Sequence, residues 1–297
     1  MKVAVVSSAF SLKAPLVREL TDSGVSFVAI DRNVSLDEFA TSLLEFPVVI
    51  AGTEKYSAEL LALLPNLRLI ARTGVGTESI DLAAANKRGI KVFTTPGLNA
   101  DSVAEHAIAL LLAVLHRVVT LDRRTKDGAW RDGLLHQTIG GARVGVIGFG
   151  RIGRRFSEMV RALGGKPEAY DPYVSDQGVR ADLSEVLSSN AMFSLHVPLN
   201  GETKGLIGAS EIAKMPEGSV LVNTSRGGVV DESALFEALQ SGHLAGAGLD
   251  VFAKEPVTTE LGLTRLPNVV LSPHVASFSQ GAIAAMSDAI AEEIKSL

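Results

Sequence analysis

The stretch Val144-Gly145-Val146-Ile147-Gly148-Phe149-Gly150-Arg151-Ile152-Gly153 decides the fold. A run rich in apolar residues leads into G-x-G-x-x-G, and a helical pattern follows. Asp171 lies 18 residues beyond Gly153, after Glu168-Ala169-Tyr170. Strand, glycine turn, helix and a later acid together form a dinucleotide-binding fingerprint, and each part has a physical job. Gly148 allows the tight turn out of the strand, Gly150 lets a pyrophosphate approach bare backbone, and Gly153 lets the helix pack against the sheet. Arg151 and Ile152 open that helix, whose unpaired N–H groups and positive dipole end suit phosphate. Asp171 can accept hydrogen bonds from a ribose 2′-hydroxyl and would repel a 2′-phosphate, which favours NAD over NADP.

Working outward, short β-rich runs alternate with helical patterns along the whole chain, as in α/β proteins with parallel sheets. The first series of strands is expected at residues 2–6, 26–30, 48–51, 68–71 and 90–93, with helices such as 12–22 and 79–88 between them. The second is expected at 143–147, 168–170, 192–196, 219–223, 246–250 and 269–271. Between the series lies the breaker-rich Thr94-Thr95-Pro96-Gly97-Leu98-Asn99-Ala100. It leads to a long helix, with Ser102 and Glu105 in capping-box spacing and Val103, Ala107, Leu110, Leu111, Val114 and Val118 at helical spacing. A last helix, about 279–297, has no strand after it and is expected to return to the first series. The expected fold class is thus α/β: a Rossmann-type doubly wound parallel-sheet domain over 98–277, plus a smaller flavodoxin-like α/β substrate domain made of 1–97 and 278–297. The polar run Lys166-Pro167-Glu168-Ala169-Tyr170 reads as a weak strand.

The 297 residues are ample for two cores. Apolar residues at 46% and charged residues at 21% are ordinary for a soluble protein, and a net charge of −5 argues against a nucleic-acid or anionic-membrane partner. The start, Met1-Lys2-Val3-Ala4-Val5-Val6, reads as a strand rather than a leader, and no apolar run is long enough to span a bilayer. The absence of cysteine removes disulfides, thiolate metal sites and thiol nucleophiles. No metal-ligand cluster is visible, and a cytoplasmic location is the default expectation.

In open parallel sheets the ligand sits outside the carboxyl ends of the strands. Three strand ends of the second series carry reactive side chains: Arg226 after 219–223, Glu255 after 246–250 and His274 after 269–271. Each alone would read as a surface charge or a structural residue; their joint placement beside a cofactor fingerprint points to hydride transfer on a 2-hydroxy or 2-oxo acid. Arg226 can bind the substrate carboxylate and polarise the neighbouring carbonyl. His274 can exchange the hydroxyl proton, and Glu255 can orient the imidazole and favour its protonated form. His196, at another strand end, is expected to border the adenine side of the cofactor; the remaining histidines lack such placement. In the first series, Arg72-Thr73-Gly74-Val75-Gly76-Thr77 forms a second glycine turn whose N–H groups suit an anion. A substrate between the two domains would explain the two-domain layout, since closure excludes water.

These motifs resemble the D-isomer-specific 2-hydroxyacid dehydrogenase family over nearly the whole chain. The likeness runs through Gly74-Val75-Gly76 with Ile80-Asp81, Asn99 to His106, the fingerprint with Tyr170-Asp171-Pro172, His196-Val197-Pro198-Leu199 with Glu202-Thr203, and Asn223-Thr224-Ser225-Arg226-Gly227-Gly228. It closes with Leu249-Asp250-Val251-Phe252, Glu255-Pro256 and Ser272-Pro273-His274. The resemblance implies Arg226, Glu255 and His274 as the catalytic set, and substrate contacts from Arg72 and the backbone of Val75 and Gly76. It implies further cofactor contacts from His196, Val197, Pro198, Thr203, Thr224 and Ser225, with Asp250 holding the nicotinamide carboxamide. It also implies NAD as cofactor and a homodimer formed through the cofactor domain, with the long helix and the arm around Trp130 at the interface. Many phosphoglycerate-type members carry an arginine just after the third strand, where this chain has Ala51-Gly52-Thr53-Glu54-Lys55, and Lys55 and Arg72 are the nearby cations. Glu78 stands where Asp or Asn is common, and no C-terminal regulatory domain is expected after Leu297. Glyoxylate or hydroxypyruvate reduction and phosphoglycerate-type chemistry both fit this reading. A catalytically weak NAD(H)-sensing protein on the same fold, like a co-repressor, is the alternative.

Overall fold

Every residue of Val48–Ala51 is buried, and every residue of Leu69–Arg72 as well. Such runs form central strands of a parallel sheet, covered on both faces by helices. The computed structural model describes residues 1–131, 133, 135–176, 178–180 and 182–297. These divide into two compact units, Met1–Asn99 with Ser277–Leu297, and Ala100–Ala276.

In chain order the first unit contains β1 (Lys2–Val5), α1 (Pro15–Asp22), β2 (Ser26–Ala29), α2 (Leu36–Leu43), β3 (Val48–Ala51), α3 (Ala58–Ala62), β4 (Leu69–Arg72), α4 (Leu82–Lys87) and β5 (Lys91–Phe93). The sheet order is β2-β1-β3-β4-β5, all parallel. Helix α2 starts on a full capping box, Ser35 with Glu38, and Asp81 caps α4. One face of the sheet buries Phe39, Tyr56, Leu60 and Ile70; the other buries Val3, Val17, Ile50 and Leu69 against Ile290 and Ile294.

The second unit runs α5 (Ala100–Leu115), α6 (Val118–Lys126), β6 (Arg143–Ile147), α7 (Arg151–Ala162), β7 (Lys166–Tyr170), β8 (Val179–Arg180), α8 (Leu183–Ser189), β9 (Met192–Leu195), α9 (Ala209–Ile212), β10 (Ser219–Asn223), α10 (Glu232–Ser241), β11 (Leu244–Leu249) and β12 (Val269–Leu271). The C-terminal helix α11 (Gln280–Lys295) belongs to the first unit, where it packs on α1. Sheet order in the second unit is β12-β11-β10-β9-β6-β7-β8, all parallel. The chain order turns back between β6 and β9, which is where a doubly wound sheet opens its ligand crevice.

Three details differ from the sequence reading. Helix α5 begins at Ala100, so Ser102 lies inside it and does not cap it; its hydroxyl donates to the Ala276 carbonyl at 2.7 Å. The helix ends at Leu115, and Arg117 at φ 52 turns the chain into α6, bent by 58°, so Val118 belongs to a different helix. Among the described residues no single helix is long and apolar enough to cross a membrane. The polar strand β7 is paired with β6 over five residues and also with the two-residue β8, which the sequence reading omits. Glu168 explains how a charge sits there: its carboxylate accepts from Arg143, Arg180, Ser189 and Asn190 at 2.8 to 3.1 Å. Burial pushes its pKa up, but these hydrogen bonds outweigh it and bring the pKa down to about 2.

Candidate functional site

The glycine turn after β6 is shaped by close approach. Gly148 has φ 94, and a methyl group on it would lie 2.7 Å from the His196 carbonyl oxygen. A methyl group on Gly153 would come within 2.0 Å of the Gly148 carbonyl oxygen, so bare backbone at this point lets α7 reach the strand end. One on Gly150 would meet nothing within 4 Å, so the middle of the turn is open. Gly150 is the N-cap of α7, and among the described residues no side chain caps that helix. An open, uncapped helix start is a ready phosphate cradle, and a dinucleotide fits it. Asp171 stands at the end of β7 and accepts from the Phe149 and Tyr173 N–H groups at 2.9 and 3.0 Å. That ties the acid to the glycine turn and leaves lone pairs on both carboxylate oxygens.

His196 does not fill the role expected for its side chain. Both ring nitrogens are buried without a hydrogen-bond partner among the described residues, and the ring lies 5.0 Å from that of Phe156. Burial pushes its pKa down to about 3, so the imidazole is a neutral core group. Only its backbone, packed on Gly148, borders the cofactor turn. Val197 packs there too, 2.9 Å from where a Gly148 methyl would stand. Thr203 closes the next turn, donating to the Pro198 carbonyl at 2.5 Å and accepting from the Asn200 N–H at 2.9 Å.

The loop after β10 presents Arg226. The Asn223 amide spans it: its oxygen accepts from the Ser225 N–H and hydroxyl, and its nitrogen donates to the Arg226 carbonyl at 2.9 Å. The Arg226 guanidinium donates to the Ser225 carbonyl at 2.7 Å. Thr224 and Ser225 are buried, and the Thr224 hydroxyl has no hydrogen-bond partner among the described residues. A methyl group on Gly227 would sit 1.8 Å from the Phe252 carbonyl carbon, so this loop is pressed against the one after β11. Phe252 in turn donates its N–H to Glu255 at 3.0 Å.

Glu255 Oε2 meets His274 Nδ1 at 2.7 Å, with both side chains about one-third exposed. Burial raises the Glu255 pKa, but the His274 and Phe252 hydrogen bonds outweigh it and hold the group below its ordinary range. With Nδ1 engaged, Nε2 is the nitrogen left for a ligand. His274 has φ 55, a left-handed conformation that is uncommon for a non-glycine residue and persists where the surroundings hold it. The constraint is Asp250. Its carbonyl accepts from the His274 N–H at 2.8 Å. Its fully buried carboxylate accepts from the Ser272 hydroxyl at 2.6 Å and from the Val275 and Ala276 N–H groups at 2.9 Å each. Burial raises the Asp250 pKa, and donors from His106, Ser272, Val275 and Ala276 bring it below the ordinary value. In this structure Asp250 therefore grips the His274 loop. The sequence reading missed its helpers: Ser102 binds Ala276, and His106 binds Ser272 at 2.8 Å. Their spacing of four residues on one helix face was the available signal.

In the first unit, Arg72 is buried and its guanidinium donates to the Thr73 carbonyl at 2.7 Å, bracing the turn. Gly74 donates to the Thr95 hydroxyl at 2.8 Å. The N–H groups of Val75 and Gly76 enter no backbone hydrogen bond among the described residues, and Val75 is half exposed.

The sequence profile of the D-isomer specific 2-hydroxyacid dehydrogenase NAD binding domain matches residues 108–276. A D-3-phosphoglycerate dehydrogenase of Archaeoglobus fulgidus is 39% identical over 275 residues, covering 90% of this chain and 52% of that protein. The chain thus spans about half the length of that relative. A glyoxylate reductase of Korarchaeum cryptofilum is 39% identical over 253 residues, covering 82% of this chain and 76% of its own. The crystal structure of the TT0316 protein from Thermus thermophilus matches with a TM-score of 0.90 at 33% identity, covering 98% of this chain and 95% of that one. With over half its length inside the family profile and a relative at 39% identity across nine-tenths of it, this chain belongs to the D-isomer specific 2-hydroxyacid dehydrogenases and carries their NAD-binding domain.

Proposed function

We propose that the protein is an NAD-dependent oxidoreductase interconverting a small D-2-hydroxy acid and its 2-oxo acid, with Arg226, Glu255 and His274 as the catalytic set. The observation that carries this is the 2.7 Å contact between Glu255 and His274 Nδ1, held beside the Arg226 loop by the packing of Gly227. NAD(H), when bound, supplies or takes up the hydride. The Gly148–Gly153 turn and the start of α7 would hold its pyrophosphate, and Asp171 would hold its ribose. The backbone beside Gly148 at His196 and Val197, the Pro198–Thr203 turn, and the loop at Thr224 and Ser225 are the further candidate contacts. Asp250 reaches the cofactor through the loop it holds.

In the reducing direction His274 gives the proton at Nε2 to the substrate carbonyl oxygen, and in oxidation it takes that proton back. Glu255, kept ionised at neutral pH by its lowered pKa, holds Nδ1–H and so fixes which nitrogen faces the substrate. Arg226 supplies a planar set of donors for the carboxylate and for the oxygen that gains negative charge. In the first unit by itself, the N–H groups of Val75 and Gly76, which enter no backbone hydrogen bond among the described residues, lie beside the buried Arg72 and suit an anion.

No residue of α6 is buried, and Val118, Val119, Leu121 and Trp130 are exposed, which supports a homodimer through the cofactor domain. A cytoplasmic enzyme without nucleic-acid or membrane partners is the corresponding reading. The test is NADH and NADPH oxidation with a panel of 2-oxo acids. Turnover that favours NADH supports the proposal. Tight NADH binding without turnover would point to a sensor, and a preference for NADPH would overturn the role of Asp171.

A further inference from the structure

Glu255 sits in an exposed loop, residues 253–260, that contains no helix or strand. Among the described residues, 252–257 enter no backbone–backbone hydrogen bond. The loop is held instead by two carboxylates. The Phe252 N–H donates to Glu255 itself at 3.0 Å, and the Ala253 N–H donates to Glu232 Oε1 at 2.7 Å. Glu232 is the first residue of α10, where the helix start favours a negative charge. It is not needed as a cap. Asp231 already accepts from the Ser233 and Ala234 N–H groups at 2.9 and 3.2 Å.

The same peptide group is gripped a second time. A methyl group on Gly227 would lie 1.8 Å from the Phe252 carbonyl carbon, 2.1 Å from its oxygen and 2.3 Å from the Ala253 nitrogen. These three atoms belong to one rigid plane, which therefore lies against Gly227 with its N–H aimed at Glu232. The orientation of that plane sets the path of the chain into Glu255. Both grips come from the segment 226–232, which also carries Arg226. The arginine loop and the glutamate loop are thus joined through the Phe252–Ala253 peptide.

We propose that Glu232 is a positioning residue for the reaction: by holding the Phe252–Ala253 peptide it keeps Glu255 on His274 Nδ1 and in register with Arg226. It acts through Glu255 and touches no reacting atom. This rests on the dehydrogenase reading above. A hydrogen bond to a carboxylate is stronger than one to a neutral acceptor, but this one is exposed to water. Its loss should lower the population of the held loop about tenfold.

The test uses Glu232→Ala and Glu232→Gln, each alone and combined with Glu255→Gln. Glu232 is half-buried and Asp231 still caps α10, so the variants fold. Glu232→Ala should lower kcat on the best 2-oxo acid about tenfold, with NADH affinity nearly unchanged. Glu232→Gln keeps an acceptor oxygen for the Ala253 N–H and should stay within about threefold of wild type. In the Glu255→Gln background, Glu232→Ala should cost less than about twofold, because its effect passes through Glu255. Nitrogen-15 NMR of the histidine rings reads the Nδ1 contact without turnover, the His274 signal being the one lost in His274→Ala. Glu232→Ala should move that signal towards its position in Glu255→Gln, and Glu232→Gln should leave it in place. A full Glu232→Ala loss in the Glu255→Gln background would overturn the inference. So would equal losses in the alanine and glutamine variants, or a His274 signal that Glu232→Ala leaves unmoved. Absence of wild-type turnover with every 2-oxo acid would sink the enzyme reading instead, and the His274 signal would still decide the role of Glu232.

Discussion

Replacing Asp250 by asparagine separates a residue that holds the His274 loop from one that contacts the cofactor directly. The carboxylate is fully buried and accepts three hydrogen bonds of 2.6 to 2.9 Å from residues 272–276, with His106 Nε2 at 3.4 Å. Asparagine is isosteric but keeps one acceptor oxygen. With that oxygen facing Ser272 and Val275, the new NH2 faces the Ala276 N–H, donor against donor. The loop loses one hydrogen bond to a charged group and leaves a buried N–H unsatisfied, about 3 kcal/mol together. That is about a 10²-fold drop in the population of the loop that holds His274 at φ 55. We expect Asp250→Asn to lower kcat about 10²-fold, with the dissociation constant for NADH within a few-fold of wild type. Ser272→Ala, which removes one neutral donor, should cost about fivefold. Steady-state kinetics and a separate NADH titration measure both quantities. An NADH affinity weakened about 10²-fold, with kcat at saturating NADH unchanged, would refute the loop argument and assign the carboxylate to the cofactor.

Arg226→Lys keeps the charge but loses the planar fork, so KM for the 2-oxo acid should rise and kcat fall together while NADH affinity holds; a change in KM alone would mean ground-state binding only. Gly227→Ala puts a methyl group 1.8 Å from the Phe252 carbonyl carbon. Parting the Arg226 and Glu255 loops by about 1 Å should reduce kcat/KM about 10²-fold, and near-normal kinetics would remove their packing from the account. His196 has its pKa depressed to about 3 from 6.5, so the unfolded chain takes up a proton that the folded one refuses. Stability should be full above about pH 6.5 and fall as the pH drops towards 3, by about 2 kcal/mol at pH 5. Urea unfolding of wild type and His196→Leu near pH 7.5 and near pH 5 should show a smaller loss in the variant; equal losses would refute it.

Much of the architecture is legible in the sequence because buried parallel strands are written as β-branched runs. Strands β3, β6, β10 and β12 have the limits that their composition suggests. Strand β8 escapes because two residues carry no periodicity, and the polarity of β7 misleads because the partners of Glu168 come from β6, β8 and the end of α8. Ser102 and Glu105 imitate a capping box, yet Ser102 faces a carbonyl 174 residues away. The bend at Arg117 has no glycine or proline to announce it.

The site divides in the same way. Arg226, Glu255 and His274 can be grouped from sequence because the ends of successive strands lie side by side in the order β12-β11-β10. The groups that hold them are not visible at that level. The Asn223 clamp, the Asp250 network and its support from Ser102 and His106 depend on hydrogen-bond geometry that spacing does not encode. His196 shows the opposite error, a polar residue at a strand end whose ring turns into the core against Phe156.

The central claim is that His274, held by Glu255, moves the proton while the remainder of the site binds. The most direct test is His274→Ala, with kcat measured on the best 2-oxo acid and NADH affinity measured separately. The account predicts a loss in kcat of about 10²–10⁴-fold with NADH affinity nearly unchanged. Near-normal turnover in that variant would contradict it.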